Sequence, residues 1–224
     1  MKCEYTIDGI DVYKYIMPVI NSNMYILIVE QQALIIDPNI AEAAMELLIK
    51  NHVEKVIVIL THEHYDHISG VNYFRQHFPC TVIGNEACKN MVTDPTKNMA
   101  AFFMALLIDK SEEERKTAME LLREDYSCSV DVSFTKEMEY KLDPLQLVLR
   151  ETPGHSTGSI CIEVNKKYIF TGDSLVDGAK IITRLPGGSK KAYKEITKPY
   201  LDSLNKDVVV FPGHGNEGLI EDIR

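Results

Sequence analysis

The sequence predicts an α/β (α+β) fold in which two mixed β-sheets pack face to face with helices on the outside. Three observations predict it. Short β-branched and aromatic runs recur in both halves of the chain, helical patterns lie between and after them, and 224 residues with 45% hydrophobic content can bury the core that two packed sheets require. No short-period repeat, low-complexity tract or linker interrupts the chain, so residues 1–224 are expected to form one domain.

The elements follow in order. Runs at Asp11 to Met17, Met24 to Val29 and Ala33 to Ile36 read as a meander of strands ending in Asp37-Pro38-Asn39. From Ala41 to Asn51 the apolar Ala44, Leu47 and Leu48 recur at helical spacing, and Val56 to Leu60 is a continuous apolar run typical of a buried strand. After Thr61 a helix to about Phe78 precedes a short strand, Thr81 to Ile83. Residues from about 86 to 126 read as an insertion of two or three helices, with Ser111 to Glu114 offering a capping box for the last. Within it Met99, Phe102, Phe103, Met104, Leu106 and Leu107 are apolar over much of a helical circumference. That surface must pack on the body, on another subunit or over a ligand, and packing on the core is the expectation, with a lid or dimer surface as its further use. Strands resume at Glu139 to Tyr140, Leu145 to Glu151, Ser159 to Val164 and Tyr168 to Phe170; a helix spans about Ser189 to Leu204, and Val208 to Phe211 is a last strand.

Charge and composition exclude several function classes. A formal charge of −9, with lysines scattered among acids, argues against a nucleic-acid partner, because phosphate binding needs clustered cations. The opening Met-Lys-Cys-Glu-Tyr-Thr lacks the apolar core of a signal peptide, and no apolar run approaches the roughly 20 residues needed to span a bilayer. A cytoplasmic protein without membrane contact is expected. Cys3, Cys80, Cys88, Cys128 and Cys161 are odd in number and show no Cys-x-x-Cys spacing, which fits reduced, buried thiols.

The chemistry is concentrated in Thr61-His62-Glu63-His64-Tyr65-Asp66-His67, directly after the buried strand. Three imidazoles and a carboxylate within six residues have no use in a core. Alternation puts His62 and His64 on one side of an extended segment, while Asp66 and His67 follow as the chain turns into a helix, so two adjacent metal positions can be served. Three later segments each follow an apolar strand and set one ligand-type residue beside glycine: Pro153-Gly154-His155, Gly172-Asp173-Ser174 and Pro212-Gly213-His214-Gly215. Neutral imidazoles with few carboxylates suit zinc, with iron or manganese as alternatives, and two adjacent dications lower the pKa of a shared water from about 15.7 to near neutral. The expected nucleophile is then a bridging hydroxide, with Asp66 and Asp173 placed to relay a proton to the leaving group.

With these segments in view, the chain resembles the metallo-β-lactamase superfamily, matching its His-x-His-x-Asp-His signature and the later His, Asp and His motifs in order from about residue 11 to 215. The resemblance implies an αββα sandwich with two metal ions: His62, His64 and His155 on the first, Asp66, His67 and His214 on the second, and Asp173 between them. It also implies that Asp37 supports the metal loop through hydrogen bonds. His52 and His77 match nothing and are expected on the surface.

Asp173 stands where similar zinc β-lactamases would have cysteine, which points away from antibiotic hydrolysis. Gly172-Asp173-Ser174 followed by Arg184-Leu185-Pro186-Gly187-Gly188-Ser189 is similar to a stretch of single-domain relatives of glyoxalase II, the hydroxyacylglutathione hydrolases. A small-molecule thioester is therefore the expected substrate; a lactone, or a persulfide oxidised at a single iron, are the alternatives. Arg184, Phe102, Phe103 and Met104 are the expected substrate contacts, the last three as an acyl pocket.

Overall fold

The computed structural model describes residues 2–223, with the Leu106 side chain outside the described residues. Thirteen strands form two sheets. The first runs β1 (Lys2–Ile7), β2 (Ile10–Ile16), β3 (Asn23–Val29), β4 (Gln32–Ile36), β5 (Lys55–Ile59), β6 (Cys80–Asn85) and β7 (Val132–Phe134) in spatial order. It is antiparallel up to β4 and parallel from β4 to β7. The second contains β8 (Glu137–Leu142), β9 (Leu145–Glu151), β10 (Ile160–Val164), β11 (Tyr168–Gly172), β12 (Val209–Pro212) and β13 (Gly218–Leu219), with β11 and β12 parallel and the other pairs antiparallel.

Period-2 alternation divides the apolar residues between the faces of each sheet. Tyr25, Leu27, Leu34, Ile57 and Ile59 of the first sheet meet Leu147, Leu149, Ile162, Phe170 and Phe211 of the second in the central core. The opposite faces are covered by helices. Ile26, Ile35, Val56 and Val58 pack on α1 (Glu42–Lys50) and α3 (Val71–His77) through Ala44, Leu48, Val71 and Phe74. Cys161, Ile169 and Val210 pack on α7 (Lys198–Ser203) and α8 (Ile220–Ile223) through Leu201, Ile220 and Ile223. The layers are those of an αββα sandwich. Strands β3 to β5 read as unbroken apolar runs because both their faces are covered. β1, β7, β13 and α8 lie outside the sequence expectation; the last three are too short to develop a period.

The remaining helices are α2 (Tyr65–Ile68), just before α3, and, after it, α4 (Glu86–Met91), α5 (Glu112–Leu121) and α6 (Lys190–Ala192), the last continuing through a π turn, Tyr193–Thr197, into α7. The expected insertion is α4, a 3₁₀ segment Ala100–Leu107 and α5, and the Ser111 capping box is present: Glu114 N–H donates to Ser111 Oγ at 3.2 Å and Ser111 N–H to Glu114 Oε2 at 2.9 Å. Its apolar face packs on the body, as Ala100 and Phe103 join Met17 and Tyr65 in a cluster of their own. No helix among the described residues is long and apolar enough to cross a membrane.

Candidate metal centre

Strand direction brings the ligand-type residues to one edge. β4 and β5 are parallel, so Asp37 and the His62–His67 segment leave the first sheet side by side. In the second sheet β9 runs with β11, two antiparallel steps away, and β11 is parallel to β12, so His155, Asp173 and His214 follow three strand ends of the same sense. The two edges are stitched by backbone hydrogen bonds from Ile160 N–H to Thr61 C=O and from Asn23 N–H to Gly213 C=O, both 2.7 Å. Two glycines allow the close approach. A Cβ on Gly172, whose φ is +48°, would lie 2.3 Å from Thr61 Oγ1, and one on Gly213 would lie 2.4 Å from Asp173 Oδ1.

Three groups of potential ligand atoms result, each within 4.8 Å: His62, His64 and His155; Asp66, His67 and His214; and Asp37, His62 and His67, in which Asp37 is already engaged by Thr61. In the first, His155 Nε2 lies 3.0 Å from His64 Nδ1. In the second, Asp66 Oδ2 lies 3.3 Å from His67 Nε2 and 3.4 Å from His214 Nε2. Asp173 faces both, with Oδ2 at 3.5 Å from His155 Nε2 and 3.6 Å from His214 Nε2. All seven side chains expected from the sequence are therefore brought together. Tyr65 caps the arrangement from behind, its ring turned away onto Phe103 at a centroid distance of 5.3 Å.

Asp37 does not join the Asp66 group. Its Oδ1 accepts from Thr61 N–H at 2.7 Å, and its Oδ2 accepts from Thr61 Oγ1 at 2.5 Å and lies 2.9 Å from His67 Nδ1. A proton on Nδ1 satisfies that contact and leaves the Nε2 lone pair facing Asp66 and Asp173. His155 is oriented the same way, Nδ1 being 2.9 Å from the Ile182 carbonyl.

Burial, aided by the neighbouring imidazoles, holds His62 well below the ordinary histidine range and His64 down to about 3, so both are neutral donors. His62 Nε2, His64 Nε2, His67 Nε2 and Asp173 Oδ1 are buried without a hydrogen-bond partner. Four orphaned polar atoms in one site carry a desolvation cost that a bound cation relieves. Imidazole and carboxylate donors around them fit a borderline-soft transition metal.

Several supporting residues escaped the sequence reading. Glu63 points away from its flanking histidines and is fully buried; it accepts from Ser156 Oγ at 3.0 Å, tying the His62–His67 segment to the His155 loop. Burial pushes its carboxyl up to about 7. The carbonyl of Pro212, two residues before His214, accepts from Tyr25 Oη at 2.8 Å and Asn23 Nδ2 at 2.9 Å. Buried polar residues inside otherwise apolar strands were the available signal.

The expected substrate contacts are placed differently. Phe103 is 4% exposed and is spent on Tyr65, so of the proposed acyl pocket only Phe102, 48% exposed, and the half-buried Met104 present surface. Arg184 is exposed, with no hydrogen bond or ion pair among the described residues, on the same loop as Ile182. His52 and His77 are exposed, as expected, and all five cysteines are free.

The chain is similar to known proteins. A probable metallo-hydrolase, YqgX, of Bacillus subtilis is 29% identical over 90% of this chain and 89% of its own length. The hydroxyacylglutathione hydrolase GloC of Haemophilus influenzae is 28% identical over 84% of this chain and 82% of its own. Among solved structures, BLEG-1, described as a B3 metallo-β-lactamase, superposes with a TM-score of 0.78 at 25% identity, covering 94% of this chain and 95% of that one. The family model described as the metallo-β-lactamase superfamily matches residues 17–214, and the chain belongs to that superfamily.

Proposed function

We propose that this protein is a dinuclear metal-dependent hydrolase that cleaves a small thioester. In this reading His62, His64 and His155 hold one ion, Asp66, His67 and His214 hold the other, and zinc is the metal. The observation that carries it is the Asp173 carboxylate, whose Oδ2 lies 3.5 Å and 3.6 Å from one imidazole of each group.

When bound, the ions supply a Lewis acid and a water acidified to near neutrality. The chain does the rest. Asp37 and the Ile182 carbonyl hold His67 and His155 with Nε2 presented inward, and the neutral His62 and His64 need no deprotonation before they act as donors. Asp173, partly open to solvent, and Asp66, buried behind it, offer carboxylate oxygens at the centre; their Oδ2 atoms hold and pass the proton released as water attacks and taken up by the leaving group.

A thioester is favoured by the likeness to GloC over most of both chains. The likeness to BLEG-1 makes a β-lactam the necessary control substrate. Five free thiols accord with a reducing, cytoplasmic setting. The exposed Phe102 and Ile108 of the insertion are proposed to form a homodimer contact.

Protein purified without added metal should carry about two zincs per chain by elemental analysis and turn over S-lactoylglutathione. Turnover of an acyl-homoserine lactone or nitrocefin alone would replace the thioester reading. Near one iron per chain, with oxygen consumed on adding glutathione persulfide, would replace the hydrolase reading.

A further inference from the structure

Away from the metal groups, a cavity of about 430 Å³ lies between the Ala179–Thr183 segment and the α6–α7 helix. Its floor is the outer skin of the third core cluster: Leu175, Leu201 and Ile223, with Ile181 beside them. Its walls carry Lys180, Lys190, Lys194 and Lys198, against one acid, Asp202. Of these lysines only Lys198 is paired among the described residues, to Asp202 at 2.7 Å, which leaves three lining lysines without a counterion. The segment 178–198 holds six basic residues, Lys180, Arg184, Lys190, Lys191, Lys194 and Lys198, against the single acid Glu195, in a chain whose net charge is −9. A concentration of cations around an apolar floor, against the sign of the whole molecule, is complementary to a ligand with an anionic head and an apolar body.

Both walls also hold His155. Ile182 accepts from its Nδ1 at 2.9 Å. On the helical side, Thr197 Oγ1 donates to Pro153 C=O at 2.7 Å, Ser189 N–H donates to Gly154 C=O at 2.8 Å, and Tyr193 packs so closely on Gly154 that a Cβ there would lie 2.6 Å from its own. The helix adopts a π turn, Tyr193–Thr197, where it meets this loop, and the facing segment 179–183 belongs to no strand or helix, so no backbone ladder fixes it.

We propose that this cavity binds a fatty-acid anion, its carboxylate among Lys180, Lys190 and Lys194 and its chain on Leu175, Leu201 and Ile223, and that occupancy alters metal affinity through the supports of His155. The site is separate from the metal groups and does not depend on which substrate they process. By linkage, a ligand that shifts the His155 supports changes metal affinity, and the metal changes ligand affinity by the same factor.

The test is calorimetric titration of the purified metal-loaded protein with decanoate, using inorganic phosphate and neutral decyl maltoside as controls, repeated on the double variant Lys190→Glu/Lys194→Glu. Circular dichroism and metal content establish that the variant is folded and loaded. The expected result is one decanoate per chain, at least tenfold tighter than either control, with the variant weakened at least tenfold. A chelator competition for zinc should shift at least threefold on adding decanoate to the wild type and not to the variant. Equal decanoate binding by both proteins would place the carboxylate elsewhere, at the metals included, and overturn the site. Binding of phosphate or decyl maltoside as tight as decanoate would overturn the ligand class. Unchanged zinc competition would overturn the coupling.

Discussion

Replacing Asp37 with asparagine tests how the protein presents His67. The carboxylate of Asp37 faces three donors: Thr61 N–H at 2.7 Å, Thr61 Oγ1 at 2.5 Å and His67 Nδ1 at 2.9 Å. An amide has one accepting oxygen. If that oxygen stays on Thr61 N–H, the NH₂ group meets His67 Nδ1, which must become the acceptor, and the imidazole proton moves to Nε2 where it faces Asp66 and Asp173. If the amide turns over, the buried Thr61 N–H loses its partner instead. The first arrangement opposes metal binding by His67 directly, and the second destabilises the loop that carries it. Loss of such an orienting partner typically costs about 10–100-fold in metal affinity, or roughly 1.4–2.7 kcal/mol. The assay is zinc competition against a chromophoric chelator on wild type and Asp37→Asn, with His77→Ala as the surface control. Affinity for the weaker-bound zinc within threefold of wild type would refute the claim that Asp37 sets the tautomer.

The remaining predictions test the site and its frame. His64→Ala and Asp173→Ala should each lose most bound metal by elemental analysis and essentially all hydrolysis, while His77→Ala changes little; equal effects would defeat the assignment. Glu63→Gln keeps an acceptor for Ser156 Oγ and should stay within about 1 kcal/mol of wild type in urea unfolding, whereas Glu63→Ala empties the space between the two loops and should cost about 2 kcal/mol or more. Equal losses would deny Glu63 its clamping role. Phe74→Ala, at a fully buried position beneath the first sheet, should cost about 3–5 kcal/mol by the same method, and a loss below 1 kcal/mol would contradict the packing. Ile108, 72% exposed on the insertion, is the place to test the dimer: Ile108→Asp should shift sedimentation from dimer to monomer, and an unchanged coefficient sinks that proposal.

What could be read from the chain was whatever depends on near neighbours. The β-branched and aromatic runs of β3 and β4 announced strands, the continuous apolar run of β5 announced a buried one, and the Ser111-x-x-Glu114 pattern announced a helix start, because strand patterning and capping act over a few residues. The His62–His67 segment was legible for the same reason, five ligand-type side chains being crowded into six positions. The single residues His155, Asp173 and His214 became legible through their glycine-rich loops and their order.

Tertiary structure alone decided the rest. That β9, β11 and β12 share one sense, and so deliver three distant loops to one edge, follows from pairings over long sequence separations that no local period encodes. Glu63 and Asp37 look alike in sequence, an acid beside an apolar strand. The resemblance already implied a supporting role for Asp37, but only the fold shows that it reaches His67 Nδ1 and that Glu63 turns toward Ser156 as a clamp between loops. The insertion illustrates the converse. Its apolar composition required burial against something, but which rings would be consumed by the core and which left at the surface, Phe103 or Phe102, depended on where Tyr65 lay to receive them. The lysines of segment 178–198 are likewise visible in the chain as scattered charges, and they become a ring around an apolar floor only when the helix and the preceding loop face each other across it. Local forces choose the elements; long-range packing chooses which side chains meet, and the chemistry depends on the meeting.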